Sequence, residues 1–339
     1  MPLQKIIFPP GVFRDQTRFA SDGHWFDCDK IRFRSGLPQK IGGWERYSND
    51  TTDGQIRFLL NFISLDDNNY LAIGSSQRFY IEEGGTFNNI TPLRKTSSLG
   101  SNPITTGDAG SGEITVTDTA NGAVLNDFVT LAGATLTDGI TTGQINTTHQ
   151  ITEIVSDNAY KVETAGSASS GSTAGGGGSV TAAYEINVGL DTAVQGTGFG
   201  AGTYSRGTWG SAATVPAGAY NQLRLWHGDN FGEDLVFNVR NGGVYYWDAS
   251  AGTGTRADAL SDESGASDAP TIAVQVMVSN NDRHVLAFGC NDRGSSTQDK
   301  LLVRWSDQEN AVDWTPTTAN TAGDLRLNSG SQIVRAYDT

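Results

Sequence analysis

The sequence is poor in the residues that usually carry chemistry: two cysteines, four histidines and two methionines in 339 residues. Cys28 and Cys290 lie far apart and outside any CxxC or Cys/His spacing, which excludes a disulfide framework and gives no zinc signature. Reduced, partly buried thiols are the expectation, as in a protein assembled in a cytoplasm. His24, His149, His227 and His284 each stand alone in the chain, so none announces a ligand set or a catalytic base. No apolar run approaches the length of a membrane span. Met1-Pro2-Leu3-Gln4-Lys5 leads into a short apolar run without the h-region of a signal peptide. Charged residues make up only 18%, and Ser, Thr, Asn or Gly interrupt almost every window that might have been a helix.

Positive charge is also scarce. The formal net charge is −14, from 37 acids and 23 bases, and it is unevenly spread. Residues 1–60 hold nine bases and seven acids, a local +2, whereas residues 101–200 hold Lys161 alone against ten acids, a local −9. Tight phosphate binding needs clustered Lys and Arg, so stable nucleic-acid binding is disfavoured. Passing DNA through a repelling tube is not, and an acidic solvated surface also serves solubility.

What the chain has is glycine, 42 residues, together with 7 Trp, 10 Tyr and 14 Phe. That is the composition of many short strands and turns around thin aromatic cores. Residues 1–47 read as an extended leader, broken by Pro9-Pro10-Gly11, whose aromatics, Trp25, Phe26 and the nearby Trp44 among them, need a surface to bury against. Lys30 to Arg34 alternates polar and apolar and reads as one strand.

A regular pattern begins within residues 48–100. Ile56–Ile63, Tyr70–Gly74, Arg78–Ile81 and Phe87–Ile90 make four short strands joined by tight turns, a blade-like meander. The layout returns over 220–339. Leu235–Asn238, Gly243–Trp247 and Thr255–Ala257 repeat it once. Ile272–Val278, His284–Gly289, Leu301–Trp305 and Val312–Trp314 repeat it again. These residues predict an all-β, β-propeller-like fold of four-stranded meanders, each unable to bury its faces alone; a run of meanders in a sandwich is the alternative. Three blades do not close a ring. Ser331 to Arg335 reads as a strand cut in mid-pattern, with further blades expected to follow. Between the first two blades, residues 101–188 alternate with many Thr and few aromatics and predict an inserted small β-barrel or sandwich. Residues 189–219 read as a mobile Gly/Ala/Thr-rich linker.

The stretch Arg304–Leu327, RWSDQENAVDWTPTTANTAGDLRL, sets two tryptophans, Trp305 and Trp314, around a turn of short polar residues. Such side chains bond their own backbone and cap turns. Trp305, Asp307, Asn310, Trp314 and Asn320, with Trp25, Phe26 and Trp44, are therefore the candidate structural or interface residues. No catalytic set is legible: there is no GxSxG elbow, Gly175–Gly178 lacks the Lys-Ser/Thr of a phosphate loop, and Asp118–Gly122 lacks the closing Glu of a calcium loop. No enzyme, metal or cofactor is expected. A sugar platform built from Trp209, Trp226, Trp247, Trp305 and Trp314 is a second reading.

Two stretches, GVFRDQTRFASDGHWFDCDKIRFRSGLPQKIGGW and RWSDQENAVDWTPTTANTAGDLRLNSGSQI, resemble large virion proteins of short-tailed bacteriophages, similar to the tail nozzle or hub that ends the DNA conduit. Within 101–188, VTDTANGAVLNDFVTLAGA and ITEIVSDNAYKVETAG resemble small β-modules of phage proteins, including those likened to a domain of ubiquitin-activating enzymes. The resemblance implies a propeller-bearing subunit of the virion tail, in a homo-oligomeric ring of six. It implies docking beneath an adaptor on the portal side, contact with tail fibres or spikes, transient passage of DNA without specific binding, and no membrane span. It supplies no catalytic residues. Two rival readings are a host-receptor or glycan-binding propeller of the tail and a sialidase-like hydrolase, since Ser306–Trp314 resembles the Asp-box turns of those propellers. The hydrolase would need Arg224, Arg240, Arg256, Arg283, Arg293 or Arg304 to cluster.

Overall fold

The computed structural model describes residues 9–43, 45–64, 67–190 and 223–337. The chain divides into two units, Met1–Asn49 and Asp50–Thr339. In the first, β1 (Ile31–Arg34) and β2 (Leu37–Lys40) pair as an antiparallel hairpin around Ser35-Gly36. Both turn residues take positive φ, 51° and 79°, a conformation that Gly36 adopts without steric cost.

The second unit is all-β. β3 (Ile56–Ile63), β4 (Asn69–Ser75), β5 (Phe79–Glu83) and β6 (Thr86–Asn89) form one four-stranded antiparallel meander. The chain then leaves for β7 (Leu93–Ser98), β8 (Ile104–Thr106), β9 (Glu113–Thr117) and β10 (Phe128–Ala132). A single helical turn, α1 (Thr142–Ile145), precedes β11 (Thr148–Ser156), β12 (Ala159–Glu163), β13 (Ala174–Gly175) and β14 (Thr181–Glu185). A second meander follows: β15 (Trp226–Phe231), β16 (Asp234–Val239), β17 (Val244–Trp247) and β18 (Asp258–Ala259). A third consists of β19 (Gln275–Val278), β20 (Val285–Phe288), β21 (Leu302–Trp305) and β22 (Gly323–Arg326).

The meanders stack face to face in chain order, the second burying apolar side chains on both of its faces. Phe62, Tyr70, Phe79 and Ile81 of the first share a core with Trp226, Leu235, Phe237 and Trp247 of the second. Phe79 stacks on Phe237 with ring centroids 4.1 Å apart and meets Trp226 edge-on at 4.9 Å. Each such ring hides on the order of 150–250 Å² from water, so this seam dominates the contact between the sheets. Gly74 makes it possible: a Cβ there would lie 2.6 Å from the Trp226 indole, which donates from Nε1 to the Ser75 carbonyl at 2.7 Å. Val236 and Val244 of the second sheet share a second core with Val276, Val278, Val285, Ala287 and Leu302 of the third. Asn238 staples that seam, donating to Ala273 O at 3.0 Å and accepting from Val276 N at 3.0 Å. The leading strands adjoin one another, β3 against β15 and β15 against β19. That is the arrangement of propeller blades, whose first strands line a common axis.

Between the first two meanders, β7–β14 form an eight-stranded antiparallel sheet ordered β13-β8-β9-β12-β11-β10-β14-β7, wrapped around its own core of Ile104, Val116, Leu131, Tyr160 and Tyr184. No ladder joins β13 to β7 among the described residues, so the sheet is open rather than a closed barrel.

Four expectations need correction. Val312–Trp314 is not the outer strand of the third meander; that place belongs to β22, and Trp314 turns inward instead. Ser331–Arg335 is not a strand, although Ile333 N reaches the Lys300 carbonyl at 2.9 Å. The outer strand of the second meander is Asp258–Ala259 rather than Thr255–Ala257. Its first strand, Trp226–Phe231, was hidden by Gly228, Asp229 and Asn230, turn formers that here pair against β16. Of the 189–219 linker, residues 191–219 lie outside the described residues.

Candidate functional site

Between β21 and β22 the chain makes a long polar loop, and it gathers five of the singled-out residues. Trp314 is fully buried in the core between the second and third meanders, and its Nε1 donates to Ala311 O at 2.8 Å. Asn310 Oδ1 accepts from Val312 N and Asp313 N at 3.1 and 3.3 Å, which turns the chain inward just before Trp314. Asp307 Oδ1 accepts from Thr321 N and Thr321 Oγ1 at 2.8 and 2.7 Å, closing the loop across its base. Asn320 Nδ2 donates to Asp313 Oδ2 at 3.0 Å and to Thr315 O at 2.8 Å. Trp305 lies over Gly323, its cross-strand partner, and donates from Nε1 to Thr321 O at 2.8 Å. The bonds from Thr321 hold the Asp307 carboxyl below the usual carboxylate range, and the Ser267 hydroxyl does the same for Asp313. The side chains of Asp307, Asn310 and Asn320 are all turned on groups of the same loop, so the loop is a built brace. The loop carries a shallow acidic depression of about 470 Å³, lined by Asp307, Glu309, Asn320 and Thr321.

Trp25 and Phe26 lie in the first unit, half-buried; Trp25 packs edge-on to Phe33 at 6.0 Å and Arg14 covers Phe26 at 5.7 Å. Trp44 lies outside the described residues, as does Trp209. Of the tryptophans proposed as a sugar platform, Trp226, Trp247 and Trp314 are 3%, 1% and 0% exposed, inside the seams, and Trp305 alone among the described ones is half-buried. Of the six arginines considered for a hydrolase, four are engaged with separate partners. Arg304, 1% exposed, donates to Asn291 O and Asp268 O; Arg224 donates to Asn187 O; Arg256 pairs with Glu185 and Arg293 with Asp324. Among the described residues no cluster of three or more His, Cys, Asp or Glu is arranged to hold a metal ion. No helix among them is long and apolar enough to cross a membrane.

A buried ion-pair cluster in the second unit carries no motif in the sequence. Glu185, at the end of β14 and 1% exposed, takes Arg78 Nε on Oε2 at 2.7 Å and Arg78 Nη2 on Oε1 at 3.0 Å. The same Oε1 takes Arg256 Nη2 at 2.8 Å and Asn89 Nδ2 at 3.0 Å. Arg78 also reaches Asp53 at 2.7 Å and lies 3.6 Å over the Phe128 ring. One carboxylate thus ties the first meander, the eight-stranded sheet and the second meander together. Its signal was faint: a register shift between Tyr184 and Glu185 turns the acid inward, against the strand's alternation.

A second assembly was also missed. At the leading strands a cleft of about 490 Å³ is lined by Arg57, Trp226, His227, Asp229, Arg240, Gln275, Met277 and Arg335, all within the second unit.

No family model matches this chain, and no curated relative does. Among solved structures it is similar to a phage phi92 endosialidase at a TM-score of 0.24 and 11% identity, over 88% of this chain and 41% of that one. The chain thus spans less than half the length of that protein, and a likeness this weak assigns neither fold nor activity.

Proposed function

We propose that this chain is a structural subunit of the tail of a short-tailed bacteriophage, specifically a nozzle or hub component that forms a ring, six copies strong, around the channel through which the genome leaves. The observation that carries the reading is the open-ended stack of meanders. On the third sheet, the face turned away from the second carries Met277, Leu286, Phe288, Val303, Trp305 and Leu325 in adjoining cross-strand pairs, half-buried or exposed. On the first, Leu59 and Ile63 are both 61% exposed, on the face of β3 opposite Phe58, Leu60 and Phe62. A stack with apolar faces left at its ends needs further sheets packed against them, which in this reading come with the rest of the ring. The braced loop that carries half of the family resemblance serves rigidity, which suits a conduit wall better than a catalytic centre. A net charge of −14 suits a channel that must not retain DNA.

In this reading the chain is assembled in the host cytoplasm and resides in the virion. It docks beneath an adaptor on the portal side, contacts fibres or spikes at its flank, and performs no chemistry. The glycan-binding alternative draws less support, because Trp226, Trp247 and Trp314, three of the tryptophans it would use, are buried. Cryo-electron microscopy of the particle that carries the chain tests the proposal. Density for six copies on the tail axis, enclosing a channel wide enough for duplex DNA, is the expected result. Density away from that axis, or a single copy, overturns it.

A further inference from the structure

The cleft at the leading strands concentrates positive charge in an otherwise acidic chain. Arg57 comes from β3, Arg240 follows β16, and Arg335 comes from the C-terminal segment. That segment is anchored beside the cleft by Gln275, whose amide donates to Ala336 O at 2.8 Å and accepts from Ala336 N at 2.9 Å. Among the described residues, neither Arg240 nor Arg335 forms an ion pair. The carboxylate in the lining, Asp229, is bound to backbone: Oδ2 accepts from Val278 N at 3.1 Å and Oδ1 from Asn230 N at 3.0 Å.

A second observation points the same way. His227 lines the cleft, is 8% exposed, and its Nε2 is buried with no hydrogen-bond partner. Buried polar atoms in folded proteins are nearly always satisfied, so an orphan beside a cleft marks a place where something polar binds. Burial, reinforced by the charges of Arg335 and Arg240, lowers the imidazole to about 4, so at neutral pH the ring is uncharged and can present an N–H.

We propose that this cleft binds an oxyanion group, a carboxylate or phosphate monoester borne on a ligand about the size of one sugar ring. Arg240 and Arg335 supply charge-assisted donors, His227 Nε2–H a neutral one, and Arg57 the far wall. Guanidinium forks match the two-oxygen edge of either anion. The volume admits one ring and its substituents, and Met277 and Tyr337 at the rim offer apolar contact. The inference goes beyond the ring-building role and concerns a soluble ligand, so it stands or falls separately from the position of the chain in a particle.

Calorimetric titration of the whole chain with glucuronate, glucose 6-phosphate and neutral glucose tests it. Saturable binding of glucuronate or the phosphate ester, and none of glucose, is expected. Arg240→Gln and Arg335→Gln should each weaken that binding about tenfold, the usual worth of one charge-assisted contact, with an unchanged thermal midpoint. Binding of glucuronate alone identifies a sugar acid as the ligand class, and binding of the ester alone a phosphate. No binding of either, equal binding of glucose, or binding indifferent to both arginine variants overturns the proposal.

Discussion

Replacing Glu185 is the sharpest perturbation this structure offers. The carboxylate is 1% exposed and accepts four hydrogen bonds, three of them from two arginines. Glu185→Gln keeps the shape but removes the charge, and turns an amide N–H₂ or a single carbonyl toward cationic donors. Arg78, whose side chain is 12% exposed, would keep the half-exposed Asp53 and the Phe128 ring; Arg256 would keep only the Thr91 carbonyl. Breaking a buried pair by removing one partner costs about 3–5 kcal/mol, because the remaining charge stays desolvated. Because Arg78 retains one carboxylate, we expect the lower end, about 3 kcal/mol. Urea unfolding followed by tryptophan fluorescence suits the question, since no tryptophan lies in 93–185 and Trp226, Trp247, Trp305 and Trp314 report the second and third meanders. The variant should also expose the eight-stranded sheet to proteolytic release at its two connections. In an Arg78→Met/Glu185→Gln double-mutant cycle the two changes should be strongly non-additive. A Glu185→Gln midpoint within about 0.5 kcal/mol of the parent would refute the reasoning, because that is the range of an ordinary surface change.

Trp314→Ala empties a fully buried site in the second seam and should cost about 3–5 kcal/mol in thermal or urea unfolding. Trp305→Ala, at a half-buried position on the open face, should cost clearly less in the same assay. For His227 the folded value of about 4 lies below the ordinary 6.5, so the unfolded chain takes up the proton first. Stability is therefore complete above pH 6.5 and falls as pH drops toward 4, by roughly 3 kcal/mol in the limit. The nearby Arg240, Arg335 and Arg57 act in the same sense and Asp229 against it; His227→Gln should flatten that part of the pH–stability curve. Leu325→Glu, at a site 58% exposed on the open face of the third sheet, should leave the monomer's melting temperature nearly unchanged and abolish ring formation in native mass spectrometry.

Much of this architecture was legible in order of residues. Period-2 alternation and aromatic strands between glycine turns marked three meanders and an inserted β domain, because facing in a strand is a local property that each residue's parity decides. The polar turn after Trp305 was legible in part for the same reason: Asn310 bonds backbone two and three residues on, whereas Asp307 reaches Thr321, fourteen residues away. What the order of residues could not decide is which apolar faces meet, and which side chains from distant segments converge. Val312–Trp314 has the composition of a strand, yet Trp314 is buried in the core shared by the second and third sheets. Glu185 joins Arg78, 107 residues away, and the cleft draws on positions as far apart as Arg57 and Arg335. Such contacts form only after the intervening chain has been closed by folding, so their geometry is a property of the stacked sheets and leaves no periodic trace along the chain.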